Sequence, residues 1–149
     1  MATDHFDDPR IPGEARLFRR IHLTHVVKGG EGQSALSSAA FRDLELSVNL
    51  ESVMSDAGRT PEDSLKDNPN DFLASISAAV CRSNRQLVGP DPLPSEPAHA
   101  YAFGKKPNRI RRALRDAASW VVPATAPPWE EIRLRKEELG ISTGELGED

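Results

Sequence analysis

The sequence predicts an α+β fold: a small single domain with a few short strands, two or three helices and a C-terminal amphipathic helix. Three observations predict it. Apolar residues alternate with polar ones over residues 44–50, and small residues alternate with ring-bearing ones over 98–103, the two-residue period of a strand. Apolar residues recur at helical spacing over 72–80 and again from Ile110 to Val121. Two Pro-rich stretches, 89–97 and 123–128, separate these segments. A chain of 149 residues suffices for one core and is too short for two. The expected organisation is a flexible N-terminal arm over residues 1–15, the α+β domain over 16–122, and a C-terminal segment over 123–149 that comprises a Pro-rich linker, an amphipathic helix and an acidic tail.

Residues 1–14 mix Asp, Pro and Gly with few apolar groups, so they read as an arm without a strong packed position. Leu17, Phe18, Ile21, Leu23, Val26 and Val27 form a dense β-branched and aromatic stretch, and Gly29, Gly30 and Gly32 end it; one strand across residues 17–27 is expected. Small residues from Ser34 to Ala40 suit a short helical turn or close packing. Leu44, Leu46, Val48 and Leu50 then alternate with Glu45, Ser47 and Asn49, which predicts a half-buried strand.

Thr60-Pro61-Glu62-Asp63 has the cap, the first-turn proline and the acids of a helix start, and Pro69 keeps that helix short. The spacing of Phe72, Leu73, Ile76, Ala79 and Val80 predicts a helix. Four prolines over residues 89–97 predict a stiff surface connection. A strand over 98–103 places His99, Tyr101 and Phe103 on one face. Pro107 opens a helix through Ile110, Leu114 and Val121 that ends before Pro123. Pro128 and Gly140 bracket a last helix whose narrow apolar stripe is Trp129, Ile132 and Leu139.

Composition excludes several function classes. Nineteen basic against 23 acidic residues leave a net charge of −4, so the overall field does not hold the protein on nucleic acid or a membrane, and any anion site is local. No apolar run reaches the roughly 18 residues of a membrane span, and the acidic start lacks the pattern of a signal peptide; a soluble cytoplasmic protein is expected. The single cysteine, Cys81, has no internal disulfide partner and reads as a small core residue.

The most uneven charge is the set Lys105, Lys106, Arg109, Arg111, Arg112 and Arg115, which meets no acid before Asp116. On a helix such like charges repel unless an anion answers them, so Lys105, Lys106, Arg109 and Arg112 are the candidate ligand-binding residues. A phosphate-bearing ligand, whether nucleotide or nucleic acid, or an acidic protein partner fits them; phosphate contacts supply affinity without sequence specificity, and Tyr101 and Phe103 are candidates to stack on a base. The alternative is a solvated face paired with the acidic segments of the same chain.

A second constellation is Arg19, Arg20, His22 and His25. On a regular strand His22 and His25 fall on opposite sides, which disfavours a metal site. Acid/base chemistry is the other use: His22 or His99 as base, Arg19, Arg20 or Lys105 on developing negative charge, and Ser37 or Ser38 as nucleophile or positioning hydroxyl. Leu17-Phe18-Arg19-Arg20-Ile21-His22, followed by a Ser-rich segment, resembles the opening of ADP-ribosyltransferase-type folds. The resemblance implies that a first-strand Arg or His and a later Ser contact NAD. It covers two short segments, and neither Glu45 nor Glu96 stands in the catalytic-Glu motif of those enzymes.

The primary expectation is therefore a binding module that needs no cofactor and engages a phosphate-bearing ligand or acidic partner through the basic helix. The alternatives are a small nucleotide- or NAD-directed transferase or hydrolase using His22, Arg19 and His99, and an assembly subunit or oligomer docking through Trp129, Ile132 and Leu139.

Overall fold

The computed structural model describes residues 4–143. An α+β architecture forms around a six-stranded antiparallel sheet in the order β6-β7-β4-β1-β5-β8. Its strands are β1 (Arg16–Ile21), β4 (Glu45–Leu50), β5 (Phe72–Ser77), β6 (Leu87–Pro90), β7 (His99–Phe103) and β8 (Ser119–Val122), while β2 (Val26–Lys28) and β3 (Ser34–Leu36) form a separate hairpin. Four helices accompany them: α1 (Glu51–Asp56), α2 (Ala78–Ser83), α3 (Asn108–Ala117) and α4 (Trp129–Glu138).

Register sorts the side chains. Leu17 lies opposite Leu50 and Ile76, and Val48 and Leu46 lie opposite Ala100 and Ala102. That face carries the main core, to which α2 adds Ala78 and Cys81, α3 adds Ile110 and Leu114, and α4 adds Trp129 and Ile132. A smaller cluster of Phe18, Met54, Leu65, Leu73 and Ala98 involves α1 and the 3-10 turn Pro61–Leu65. The alternation expected over residues 44–50 and 98–103 appears as β4 and β7, and the start at Thr60 forms with its capping box.

Several elements differ from expectation. The single strand over 17–27 divides: β1 stops at Ile21, a 3-10 turn spans Leu23–His25, and Val26 opens the hairpin. The side chain of His22 accepts from the Thr24 amide and so caps a turn that takes the chain out of the sheet. The helix expected over 72–80 is instead β5 followed by the short α2. Residues Phe72 to Ile76 are buried without alternation, so the period that identifies a strand is missing. The helix from Pro107 ends at Ala117, and Ser119–Val122 pairs with β5 as an edge strand. Part of the stiff connection over 89–97 is also strand: Pro90 ends β6, where a missing amide costs no ladder bond on the sheet's outer side.

The segment expected as an arm is packed. Phe6 exchanges both backbone hydrogen bonds with the Tyr101 hydroxyl, Asp7 accepts from Arg82 and from the Val88 amide, and Asp8 and Ile11 are buried. Apposition of Gly89 makes this possible, since a Cβ there would stand 2.4 Å from the Tyr101 hydroxyl oxygen. The acidic tail from residue 144 onward lies outside the described residues.

Candidate functional site

The sheet contains one opened seam. β4 pairs with β7 through five residue pairs and β1 with β5 through six, but β1 and β4 meet only at Leu17–Leu50 and Phe18–Asn49. Beyond Phe18 the two strands separate, and Arg19 occupies the gap. Its Nε donates to the Ala40 carbonyl at 3.0 Å, Nη1 to the Ser47 carbonyl at 3.2 Å and Nη2 to Asp43 Oδ2 at 3.1 Å. Burial pulls the Arg19 guanidinium below its ordinary range and Asp43 opposes that shift. Three of the five guanidinium N–H bonds are used in this way, and two remain.

Beside Arg19 lies a cleft of about 290 Å³ lined by Arg20, His22, His25, Asn49, Ser64 and His99 among others. The turn after β1 brings both His22 and His25 to it, although a continuous strand would have separated them. The chain thus unites Arg19, Arg20, His22 and His99, four of the seven residues considered for acid/base chemistry. Ser38 is buried in the turn Ser38–Phe41 and is not part of the lining.

The histidines have different hydrogen-bonding roles. His22 Nδ1 accepts from the Thr24 amide at 3.1 Å, which assigns the proton to Nε2 and makes His22 a donor toward the cleft rather than the base expected. His99 is the reverse. Its Nδ1 stands 2.9 Å from the Asp91 carbonyl, an acceptor only, and 3.3 Å from Asp91 Oδ2, so Nδ1 carries the proton and Nε2 the lone pair. His25 is pushed toward the neutral form by burial, with Arg42 and Arg19 adding in the same direction.

The basic helix has fewer available cations than its sequence suggests. Lys106 is 5% exposed, and its ammonium donates to the carbonyls of Leu44, Ala102 and Gly104. It is therefore removed from the ligand-binding set. Arg111 donates to the Lys106 carbonyl and Arg115 pairs with Asp116. Lys105, Arg109 and Arg112 have no ion-pair partner among the described residues, and Lys105 and Arg109 are exposed.

The docking stripe at the C-terminus is also corrected. Trp129 and Ile132 belong to the main core, and only Leu139, 64% exposed, faces outward. The Trp129 amide donates to the Gly32 carbonyl and the Ser34 amide to that of Pro127, fastening the start of α4 to the β2–β3 hairpin. Cys81 is buried, and burial raises its thiol to about 12, which suits a packing role.

Asn49, Ser64, Asp91 and Asp43 are site residues that the linear sequence did not single out. Alternation over 44–50 does place Asn49 off the core face, and only the strand register puts it opposite His99. Comparison with protein-family models, with curated proteins and with solved structures finds no match to this chain.

Proposed function

We propose that the protein binds a small phosphate-bearing ligand of the nucleotide or sugar-phosphate class in the cleft between β1 and β4. One observation carries this reading: the cation of Arg20 and the imidazole of His22, whose Nδ1 already accepts, line one concave site together with Arg19, which fills the seam beside them. Donors held by a rigid sheet and a capped turn need little reorganisation to meet phosphate oxygens, and Arg suits them through its planar fork. Arg20 also pairs with Asp71 at 3.3 Å from an exposed position, so it remains able to exchange that partner for a ligand. An enzymatic form of the reading assigns the base to His99 rather than His22.

Thermal unfolding at constant salt tests the proposal, with inorganic phosphate, ribose 5-phosphate and the four ribonucleoside monophosphates as probes. A ligand at a hundred times its Kd stabilises the folded state by about 2.7 kcal/mol. Stabilisation that disappears in His22→Ala supports the cleft. If none of these probes raises the melting temperature at millimolar concentration, the proposal fails.

A second reading has its own support in the three cations left at α3. Lys105, Arg109 and Arg112 form an electrostatic footprint for a nucleic-acid backbone or an acidic protein surface. Binding of a single-stranded RNA that weakens steeply with salt and is lost in the Arg109→Glu, Arg112→Glu double variant supports it. Binding unaltered by that double variant removes it.

A further inference from the structure

We infer that the cleft selects a phosphate ester carrying a vicinal diol, as ribonucleotides and ribose phosphates do, with His99 and Asn49 as the two hydroxyl acceptors and Asp91 as the positioning residue for His99. The inference rests on the phosphate-binding reading of the same cleft.

The cleft is chemically two-sided. Its β1 side presents donors, Arg20 and the Nε2–H of His22, with the Arg19 guanidinium adding positive charge in the seam alongside. Its β4–β7 side presents acceptors. The Asp91 carbonyl and carboxylate both face His99 Nδ1, at 2.9 and 3.3 Å, and the Asp91 amide in turn donates to the His99 carbonyl at 2.9 Å. This reciprocal clamp fixes the ring as the Nδ1–H tautomer and leaves a lone pair on Nε2. No described group donates to that nitrogen, and the His99 side chain is 16% exposed where it lines the cleft.

Asn49 provides the second acceptor through a similar chain of assignments. The Ser64 hydroxyl donates its single hydrogen toward Met54 Sδ at 3.4 Å, so it accepts from Asn49 Nδ2 at 3.0 Å. That bond orients the amide and leaves Oδ1 without a donor among the described residues. Asn49 and His99 are directly opposed partners on β4 and β7, and such pairs hold their Cβ atoms roughly 5 Å apart. Two neighbouring acceptors with no protein donor between them match two neighbouring hydroxyls, while the donors across the cleft match the phosphate. A phosphate ion alone satisfies only one side.

Isothermal titration with two matched series tests this: adenosine 5′-monophosphate against its 2′-deoxy and 2′,3′-dideoxy counterparts, and ribose 5-phosphate against 2-deoxyribose 5-phosphate. Loss of each hydroxyl is expected to weaken binding about tenfold, the size of one hydrogen bond to a site built for it. His99→Phe is expected to erase the discrimination while phosphate binding persists, and His99→Gln, which keeps an acceptor, to restore part of it. Asp91→Ala is expected to reduce discrimination without abolishing affinity. Should His99→Phe fail to fold, the nitrogen-15 shifts of the His99 ring in the unaltered protein decide: a protonated Nε2 overturns the inference. Equal affinity for the hydroxyl-bearing and deoxy members of both series overturns it and leaves the phosphate site standing. Hydroxyl dependence in the ribose series alone assigns the site to sugar phosphates, and in the adenosine series to nucleotides. Failure of every phosphate probe removes the phosphate site and this inference together.

Discussion

Lys106 Nζ lies 2.9 Å from the carbonyl oxygen of Ala102, and the same ammonium reaches the carbonyls of Leu44 and Gly104. One side chain thus closes the end of β7 onto the loop that begins β4. In Lys106→Met each of the three carbonyls loses one donor where little water reaches them, although the Leu44 carbonyl keeps the Gly104 amide at 3.0 Å. A loss of about 1–3 kcal/mol in unfolding free energy is expected, measured by urea denaturation, because a buried acceptor that loses its donor costs about that much and the Leu44 carbonyl stays paired. Exposed Lys105→Met is the control and is expected to stay within about 0.5 kcal/mol of the parent.

Burial also links Lys106 and Cys81 to alkaline pH in opposite senses. Lys106 falls from 10.5 to about 8, chiefly through desolvation, so between those values the unfolded chain holds a proton that the folded chain has released, and stability rises with pH. Cys81 rises from 9.0 to about 12, again chiefly through desolvation, so between those values the folded chain holds the extra proton and stability falls with pH. The two slopes therefore add a gain from pH 8 to 9, oppose each other from 9 to 10.5, and leave a net loss above 10.5. Urea midpoints across pH 7.5–11.5 should show this difference against Cys81→Ala, whose profile lacks the loss above pH 10.5. Superposable profiles for the two proteins would refute the assignment.

Acid pH acts through a different pair. Arg59 grips Glu96 with both nitrogens, at 2.5 and 2.7 Å, and the Ala98 amide adds a bond at 3.2 Å. The Arg59 hydrogen bonds, more than any other contact, hold the Glu96 carboxyl below its ordinary range. A carboxylate whose pKa is depressed on folding contributes its stability above the ordinary value of 4.5 and loses it as pH falls through the lower folded value. Glu96→Gln is expected to destabilise the protein at pH 7 by about 1–3 kcal/mol and to flatten the decline below pH 4.5. The same acid slope in both proteins would show that other carboxylates carry it.

The legible parts of this fold are those in which local chemistry and tertiary environment agree. β4 and β7 each bury one face more than the other, so Leu46, Val48 and Leu50 alternate visibly with Glu45, Ser47 and Asn49. β5 sits between β1 and β8 with apolar groups toward both sides, and its unbroken run Phe72 to Ile76 carries no period from which a strand can be read. β8 follows α3 without a glycine or proline between them, so Trp120 and Val121 looked like a continuation of the helix. At the site, Arg19, His22 and His99 were identifiable by residue type, but their roles were not. Those depend on where the Thr24 amide and the Asp91 carbonyl point, and on a register that sets Asn49 across from His99. Counting cations overestimated the α3 surface for a related reason: a charge count does not register that three backbone carbonyls occupy Lys106.

The C-terminal helix provides the sharpest separation between a docked element and a partner-binding one. Ile132 is fully buried, and Leu139, seven residues on, is largely exposed. Truncating a buried Ile to Ala removes its burial and leaves a cavity, a cost of about 2–5 kcal/mol. Ile132→Ala is therefore expected to lower the unfolding free energy by that amount, whereas Leu139→Ser is expected to change it by less than about 0.5 kcal/mol. Because α4 is fastened to the hairpin by the Trp129–Gly32 and Ser34–Pro127 backbone bonds, its loosening should also raise hydrogen exchange at the amides of Ser34 and Trp129. Faster exchange at those two amides in Ile132→Ala, with the elution volume on size exclusion unchanged, is the outcome expected for a helix that belongs to the domain; an oligomer lost in Leu139→Ser with stability intact would instead make α4 an interface.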